Sequence, residues 1–201
     1  MKQRTAMKQT TTSASEQITA VILAGGKSER MGRDKAQLIR PDGRSQLSFT
    51  ADCLREAGIE NILVSGAVVS GLKSIKDVYP EKGPLAGIHS ALAHCKPDTD
   101  SLIVAPCDMP LLKCDVFSSL LKSSQSTAFD QSFFPLIIRN LKQAKEVAEN
   151  ILSNYQSPSI RSFLKNMKFD FISSENTVEL KSCNTPESWD DACDILNNHR
   201  N

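Results

Sequence analysis

The strongest constraint on the fold of this chain is an apolar run that ends abruptly in two glycines. Residues 18–23 read Ile-Thr-Ala-Val-Ile-Leu, and their β-branched content is typical of a strand buried in a sheet. Ala24, Gly25 and Gly26 follow at once, and the basic side chains come directly after them. Glycine leaves the backbone N–H groups of a loop accessible, and these groups together with nearby basic side chains can bind a polyphosphate. The segment therefore predicts a strand that ends in an anion-binding loop.

The spacing of this loop differs from the two common glycine-rich nucleotide loops. Arg33-Asp34 follows Gly32, where a Walker loop carries Lys-Ser or Lys-Thr, and the chain contains no Gly-x-Gly-x-x-Gly. Taken alone, the loop leaves one alternative open. It could be an ordinary strand followed by a glycine turn and by the solvent-exposed, basic first turn of a helix.

Strand-like and helix-like segments alternate along the rest of the chain. The further predicted strands lie near 59–64, 74–78, 101–105, 126–129, 133–138 and 169–172. The predicted helices cover about 46–57, 85–95, 114–122, 141–152 and 159–167, and a last helix begins at 185. Such alternation predicts one three-layer, Rossmann-like α/β domain over 18–201, with a mostly parallel (mixed) sheet between helices. We expect residues 1–17, rich in Thr, Ser, Gln and Lys, to be a disordered tail.

Composition excludes several classes of protein. The net charge is +1, so no overall field draws the chain to nucleic acid or to an anionic membrane. The apolar runs are far shorter than the roughly 20 residues of a membrane span. The six cysteines include no Cys-x-x-Cys pair, and without an export signal they are predicted to be reduced thiols. We therefore expect a cytoplasmic protein.

A carboxylate between two prolines is the strongest candidate metal ligand. Asp108 follows the predicted strand 101–105, within Pro106-Cys107-Asp108-Met109-Pro110. It is thus placed at the carboxyl end of a strand, where ligands bind in open α/β sheets. Mg²⁺ takes few carboxylates and completes its shell with substrate phosphates and water. We predict that Asp108 holds Mg²⁺, the alternative being a turn aspartate that caps the next segment.

Three motifs together resemble one family. They are Gly-Gly-x-Ser-x-Arg-Met-Gly-x-Asp-Lys over 25–35, Gly-Pro-Leu-Ala-Gly over 83–87, and the Pro-Cys-Asp-x-Pro run around Asp108. In this order they resemble the molybdenum cofactor guanylyltransferases, which transfer GMP from GTP to molybdopterin. Sugar-phosphate relatives carry Gly-x-Gly-Thr-Arg in the first loop, and cytidylyltransferase relatives carry Leu-Ala-Ala-Gly. The resemblance covers about 18–199 and implies a nucleotidyltransferase type of fold.

The resemblance also implies a role for particular residues on the nucleotide side. Lys35, Arg30 and Asp108 would be the catalytic residues, with the two cations on the phosphate oxygens. Ser65 stands where relatives often have a nucleotide-contacting asparagine, and Asp77 would accept hydrogen bonds from guanine or ribose. The GTP-binding set that the resemblance implies is Leu23, Ala24, Gly25, Gly26, Lys35, Ser65, Asp77 and Asp108.

The acceptor side departs further from the family pattern. Asn184 resembles the second asparagine of an Asn-x-Asn-Thr-Pro run that closes the pterin pocket, and Ser182 takes the place of the first. Arg161 resembles an arginine near the acceptor phosphate. Phe134 precedes Pro135 where relatives commonly show His-Pro. The resemblance thus makes Arg161 and Asn184 the acceptor candidates.

The expected reaction joins the terminal phosphate of molybdenum-bound molybdopterin to the α-phosphorus of GTP and releases pyrophosphate. The expected partners are GTP and molybdopterin, with molybdoenzymes or their chaperones as candidate recipients, and the expected state is a monomer. One alternative is a related cytidylyltransferase or sugar-phosphate enzyme. Another is a non-catalytic GTP or cofactor carrier, which the departures at Ser65, Ser182 and Phe134 allow.

Overall fold

A central sheet organises the chain. The computed structural model describes residues 16–25, 38–154 and 158–198. The strands are β1 (Ile18–Leu23), β2 (Asn61–Ser65), β3 (Lys73–Ile75), β4 (Ser101–Pro106), β5 (Thr127–Phe129), β6 (Leu136–Ile138) and β7 (Asp170–Ile172). They form one sheet in the order β3-β2-β1-β4-β6-β5-β7. Only β6 runs antiparallel to its neighbours in this sheet, so the predicted mixed, mostly parallel sheet is confirmed.

Helices follow the strands as the alternation predicts. They are α1 (Gln46–Glu56), α2 (Pro84–His94), α3 (Asp115–Leu121), α4 (Leu141–Asn154), α5 (Ile160–Met167) and α6 (Pro186–Asn198), with a short 3-10 helix at Thr177–Leu180. Ser45 caps α1 by accepting a hydrogen bond from the backbone N–H of Ser48, at 3.1 Å, as its hydroxyl predicts. Across the three described ranges, no helix combines the length and the apolar character that a membrane crossing needs.

Two apolar clusters cover the two faces of the sheet. Alternate residues of β1 point to opposite faces, so Ile22 packs in one cluster and Val21 in the other. The Ile22 cluster includes Leu54 of α1 and Phe117 of α3, whereas the Val21 cluster includes side chains of α2, α4 and α5. Burying each such side chain contributes about 1.5–3 kcal/mol. The result is the predicted three-layer arrangement.

One pair of cysteines differs from the prediction. Cys53 of α1 and Cys114, which directly precedes α3, form a disulfide with their Cα atoms 4.5 Å apart. The prediction of reduced thiols is therefore wrong for this pair, because α1 and α3 pack on the same face of the sheet and bring together residues 61 positions apart. Cys95, Cys107, Cys183 and Cys193 form no disulfide. Burial raises the pKa of the Cys95 thiol to about 11.

The predicted amino-terminal tail meets the sheet at its last two residues. The backbone N–H of Gln17 donates to the Asp100 carboxylate at 2.8 Å, and Glu16 accepts from the Ser101 hydroxyl at 2.9 Å. These contacts secure the chain to the beginning of β4. The rest of the predicted tail lies outside the described residues.

Candidate active site

The carboxyl ends of three parallel strands lie side by side at one edge of the sheet. Leu23 at the end of β1 is opposite Ser65 of β2 on one side and Pro106 of β4 on the other. Because β6 is antiparallel, it begins at the same edge, with Leu136 opposite Val104. Ligands of open α/β sheets bind at this kind of edge. It carries Leu23 and Ser65, two of the residues that the sequence analysis selects for GTP, and Ala24 and Gly25 follow directly after β1.

The chain leaves β1 in direct backbone contact with the end of β2. The N–H of Ala24 donates to the carbonyl of Ser65 at 2.8 Å. Gly66 has φ of +89°, and a Cβ built on it would lie 2.2 Å from the Cα of Gly25. A Cβ on Gly25 would lie 3.2 Å from the Cα of Gly66. Sequence reasoning selected Gly25 but missed Gly66, whose only signal is a glycine at the end of a predicted strand.

Ser65 and Asp77 are hydrogen-bonded to each other in this structure. Ser65 is buried, and its hydroxyl donates to one carboxylate oxygen of Asp77 at 2.7 Å. A Cβ on Gly87 of α2 would lie 2.7 Å from both that hydroxyl and a methyl of Leu23. The Gly-Pro-Leu-Ala-Gly motif therefore lets α2 approach the two strand ends closely. The sequence predicts that Ser65 and Asp77 each contact the nucleotide, whereas in the structure their side chains are hydrogen-bonded to each other.

Asp108 stands immediately beyond β4, half-buried, next to the end of β1. The N–H of Cys107 donates to the carbonyl of Leu23 at 3.2 Å. The carbonyl of Asp108 accepts from the N–H of Cys183 at 2.7 Å. These two bonds place the predicted metal ligand between the end of β1 and the segment that carries Asn184.

A buried arginine, which the sequence analysis did not select, is hydrogen-bonded to the segment that follows Asp108. Arg40 is only 6% exposed, and a guanidinium nitrogen donates to the carbonyl of Pro110 at 2.7 Å. Its guanidinium carbon lies 3.6 Å from the ring centroid of Phe49. Burial lowers the pKa of Arg40, and the Asp42 carboxylate 3.5 Å away opposes that effect. An arginine before a Pro-Asp-Gly turn carries no sequence signal of burial.

The two acceptor candidates lie at the same edge on exposed side chains. Arg161, in the first turn of α5, holds its guanidinium carbon 5.6 Å from the ring centroid of Phe133. Phe133 belongs to the loop between β5 and β6, which opens at this edge. Asn184 follows Cys183, whose backbone bonds to Asp108. The fold thus brings Arg161 to the loop that contains Phe134, and Asn184 to the neighbourhood of Asp108.

Three predicted site residues, Gly26, Arg30 and Lys35, lie outside the described residues. Within the described ranges, no group of three or more His, Cys, Asp or Glu side chains could hold a metal ion. Asp108 therefore offers one carboxylate at an edge suited to phosphates. That donor set fits Mg²⁺, which takes one or two carboxylates and completes its shell with substrate phosphates and water.

A groove of about 610 Å³ lies elsewhere, between the end of α2 and the beginning of α4. Its residues precede β4 and follow β6, which places the groove at the opposite edge of the sheet from Asp108. It is lined by Leu92, Cys95, Lys96, Pro97, Thr99, Arg139, Asn140, Leu141, Lys142 and Lys145. The groove is therefore separate from the candidate active site.

Comparison with known families identifies the family to which the chain belongs. The family model of the MobA-like NTP transferase domain matches residues 20–133, more than half of the chain. The chain belongs to the MobA-like NTP transferase family. It is accordingly an enzyme of the nucleotidyltransferase class. The matched range contains Ala24, Gly25, Ser65, Asp77 and Asp108, whereas Arg161 and Asn184 lie beyond it.

Similar proteins extend the likeness past the matched range. A molybdenum cofactor guanylyltransferase of Xanthomonas euvesicatoria is 35% identical over 176 residues, covering 85% of this chain and 92% of that protein. A probable molybdenum cofactor guanylyltransferase of Clostridium perfringens is 32% identical over 190 residues, covering 86% and 94%. The crystal structure of molybdopterin-guanine dinucleotide biosynthesis protein A from Archaeoglobus fulgidus superposes with a TM-score of 0.72 at 19% identity, over 90% of this chain and 99% of that one. That structure shows the shared nucleotidyltransferase fold.

Proposed function

We propose that this enzyme transfers GMP from GTP to the terminal phosphate of molybdenum-bound molybdopterin and releases pyrophosphate. The observation that carries the proposal is the meeting of three elements at one edge, namely the Ala24–Gly25 exit of β1, the Ser65–Asp77 pair and Asp108. Relatives named for this activity align with most of the chain, which supports the choice of guanine and of the pterin.

The nucleotide would lie against backbone rather than against side chains. The glycines at 25 and 66 pack main chain against main chain, which fixes the position of the backbone that leaves β1 and that the nucleotide would meet. One carboxylate oxygen of Asp77 is held by Ser65, and the other would accept from a guanine N–H or a ribose hydroxyl. Ser65 itself would bind GTP through this pair and through its backbone.

Asp108 would hold Mg²⁺, which supplies positive charge to the triphosphate oxygens. Arg30 and Lys35 would neutralise the charge that develops on the α-phosphate and on the leaving pyrophosphate. The acceptor phosphate oxygen forms the new bond to the α-phosphorus, and the bond to the bridging oxygen of pyrophosphate breaks. No proton has to move, because the attacking phosphate is already an anion. Positioning is then the main contribution, and it can lower a barrier by roughly 7–11 kcal/mol.

The acceptor would be bound by the exposed side chains at the same edge. Arg161 offers a planar guanidinium that can make two parallel hydrogen bonds to the acceptor phosphate. Asn184 offers an amide donor and acceptor to the pterin ring, close to Asp108. Both roles place the acceptor phosphate on the side of Asp108 away from β2.

A nucleotide panel tests the donor half of this proposal. Binding of GTP, CTP, ATP and UTP is measured by calorimetry, with Mg²⁺ and with EDTA. We expect GTP to bind at least tenfold more tightly than the others in Mg²⁺, because a site that hydrogen-bonds one base leaves buried groups unpaired with another. A preference for CTP would contradict the choice of guanine and favour the cytidylyltransferase alternative.

The remaining proposals concern the setting of the reaction. We propose a monomer in the cytoplasm, whose product passes to molybdoenzymes or their chaperones. Light scattering on the purified chain should give its monomer mass of 22.1 kDa. Because cytosolic glutathione keeps most thiols reduced, the Cys53–Cys114 pair also bears on location. Thiol labelling of acid-quenched cells should show whether this bond persists there.

A further inference from the structure

The backbone that follows β4 is held by bonds from three residues in two separate parts of the chain. The carbonyl of Asp108 accepts from the N–H of Cys183 at 2.7 Å. The carbonyl of Met109 accepts from the side-chain amide of Gln46 at 3.3 Å. The carbonyl of Pro110 accepts from the guanidinium of Arg40 at 2.7 Å. Three successive carbonyls beginning at Asp108 are thus each bound to a different partner.

Two of these partners are joined to each other inside the protein. The guanidinium of Arg40 donates to the side-chain oxygen of Gln46 at 2.8 Å. Gln46, fully buried in the first turn of α1, also reaches the hydroxyl of Thr50 at 3.4 Å. We name this unit, with its bonds to Met109 and Pro110, the Arg40–Gln46 bridge. It connects the beginning of α1 to the segment that carries Asp108.

Burying a guanidinium is costly unless its hydrogen bonds are satisfied. Most of the covering of Arg40 comes from its own neighbourhood, through Asp42, Gln46 and the Phe49 ring. Its bond to the carbonyl of Pro110 spans 70 residues of sequence. The local packing around Arg40 does not require a bond to that carbonyl. The consequence of the bond is that the segment after Asp108 is attached to the residues just before α1.

The geometry around Asp108 shows what the bridge adds. On the amino side, β4 is fixed by its ladder to β1, and Cys107 is bonded to the carbonyl of Leu23. On the carboxyl side no strand continues; the carbonyl of Met109 accepts from the N–H of Leu112 and from Gln46, and that of Pro110 accepts from Arg40. The direction of an aspartate side chain follows from the backbone on both sides of it. Displacing a reacting group by about 1 Å can cost roughly 100-fold in rate.

We infer that Arg40 and Gln46 are positioning residues, which fix the backbone beyond Asp108 and thereby the direction in which its carboxylate meets nucleotide-bound Mg²⁺. The inference rests on the proposed function, since it takes Asp108 as the Mg²⁺ ligand. Neither residue contacts the nucleotide or the reacting atoms in this account. Their effect on catalysis passes through Asp108.

The test compares Arg40→Met with Arg44→Met. Both arginines form an ion pair with Asp42 and both changes remove one positive charge, but the Arg44 side chain is 46% exposed and bonds to Asp42 and Asp52. The measurements are thermal unfolding and GTP affinity by calorimetry, in Mg²⁺ and in EDTA. We expect Arg40→Met to reduce the gain in GTP affinity that Mg²⁺ gives by about tenfold, with affinity in EDTA unchanged. Arg44→Met should change neither affinity by more than about twofold.

A purely structural role of the bridge would give a different result. Arg40→Met would then unfold at a lower temperature, while the folded protein kept the full Mg²⁺-dependent gain in GTP affinity, and that result would overturn the inference. If Arg40→Met does not fold, Gln46→Met replaces it, because it removes the bond to the carbonyl of Met109 without removing a charge. An unchanged Mg²⁺ effect in folded Gln46→Met would overturn the inference equally, whereas Arg40→Lys, which keeps the charge and one donor for Pro110, should retain most of that effect. A wild-type protein that binds no GTP would instead overturn the proposed function, and this inference with it.

Discussion

At the ends of β1 and β2, the proposed nucleotide side of the site is made of main chain packed on main chain. Ala24 donates to the carbonyl of Ser65, and Gly66 lies against Gly25 too closely for any side chain. On the acceptor side, Arg161 and Asn184 present exposed side chains from the beginning of a helix and from a loop. The two sides share one edge of the sheet but differ in how they are built.

This difference predicts how each half responds to substitution. A backbone contact as close as that of Gly25 and Gly66 leaves no room for a side chain, so a substitution there must move the main chain. An exposed side chain can be replaced without disturbing the core, and a neighbouring side chain can make the same contact instead. The family model matches 20–133; the departure at Ser65 lies within that range, and those at Phe134 and Ser182 lie beyond it. We therefore expect substitutions to be tolerated less at the glycine contacts than at the exposed acceptor candidates.

Removing the carboxylate of Asp108 should give the largest effect on the donor half. We expect Asp108→Ala to lower GMP transfer by roughly 10³-fold, because the charge that holds Mg²⁺ on the phosphates is lost. Steady-state pyrophosphate release measures this, and unfolding of the variant should stay cooperative because Asp108 is only half-buried. Asp98→Ala, exposed beyond the opposite end of β4, is the matched control. Turnover by Asp108→Ala within tenfold of wild type would sink the assignment.

Gly66→Ala tests the backbone contact itself. Gly71→Ala is its control, since both glycines have positive φ, of +89° and +79°, but a Cβ at 71 meets nothing within 4 Å. We expect both variants to lose about 1–2 kcal/mol from the backbone conformation alone. Gly66→Ala should lose more stability and bind GTP roughly tenfold more weakly, because Gly25 must move. Equal GTP affinities for the two variants would mean that the contact has no part in nucleotide binding.

The acceptor half should respond separately from the donor half. Arg161→Ala should raise the KM for molybdopterin by roughly tenfold, the loss expected for a charge-assisted hydrogen bond, and should leave GTP affinity unchanged. Lys165→Ala, one turn further along α5, controls for the loss of a positive charge. If Arg161→Ala weakened GTP binding instead, the division of the edge into two halves would be wrong.

The smallest effect concerns His89, which lies two residues beyond Gly87 on α2. Its two ring nitrogens have no hydrogen-bond partner among the described residues, and burial lowers its pKa. The unfolded chain takes up a proton near pH 6.5, while the folded protein does so only at lower pH. The free energy of unfolding should therefore fall as the pH drops below about 6.5.

His89→Leu should remove that acid sensitivity and stabilise the protein by about 1 kcal/mol at neutral pH. Urea unfolding at a series of pH values measures both effects. A wild-type unfolding free energy that does not fall between pH 6.5 and 5 would contradict the role given to His89.

Local signals allowed most of the fold to be predicted. Ser45 caps α1, Pro84 begins α2, and the buried run before Pro106 forms β4, because each feature acts on its immediate neighbours. The antiparallel insertion of β6 between β4 and β5 agrees with the expected mixed sheet. The nearness of Leu23, Ser65 and Asp108 also follows from the rule that parallel strands end at one edge.

The parts that could not be predicted depend on tertiary contacts between distant residues. The Ser65–Asp77 hydrogen bond depends on how the loop after β3 returns to β2, and no spacing records it. The hydrogen bond from Arg40 to the carbonyl of Pro110 joins residues 70 positions apart. The Cys53–Cys114 disulfide likewise needs α1 and α3 to be packed together. A sequence motif shows which residues lie near a ligand, and the contacts behind them come only from the fold.

The central claim is that one edge of the sheet joins GTP to a pterin phosphate, and turnover tests it most directly. Pyrophosphate release is measured with GTP, molybdenum-bound molybdopterin and Mg²⁺, omitting each in turn and replacing GTP by CTP. We predict release only when all three are present, in step with formation of the guanine dinucleotide cofactor, and little release with CTP. GTP binding without pyrophosphate release would contradict the account and identify the chain as a carrier.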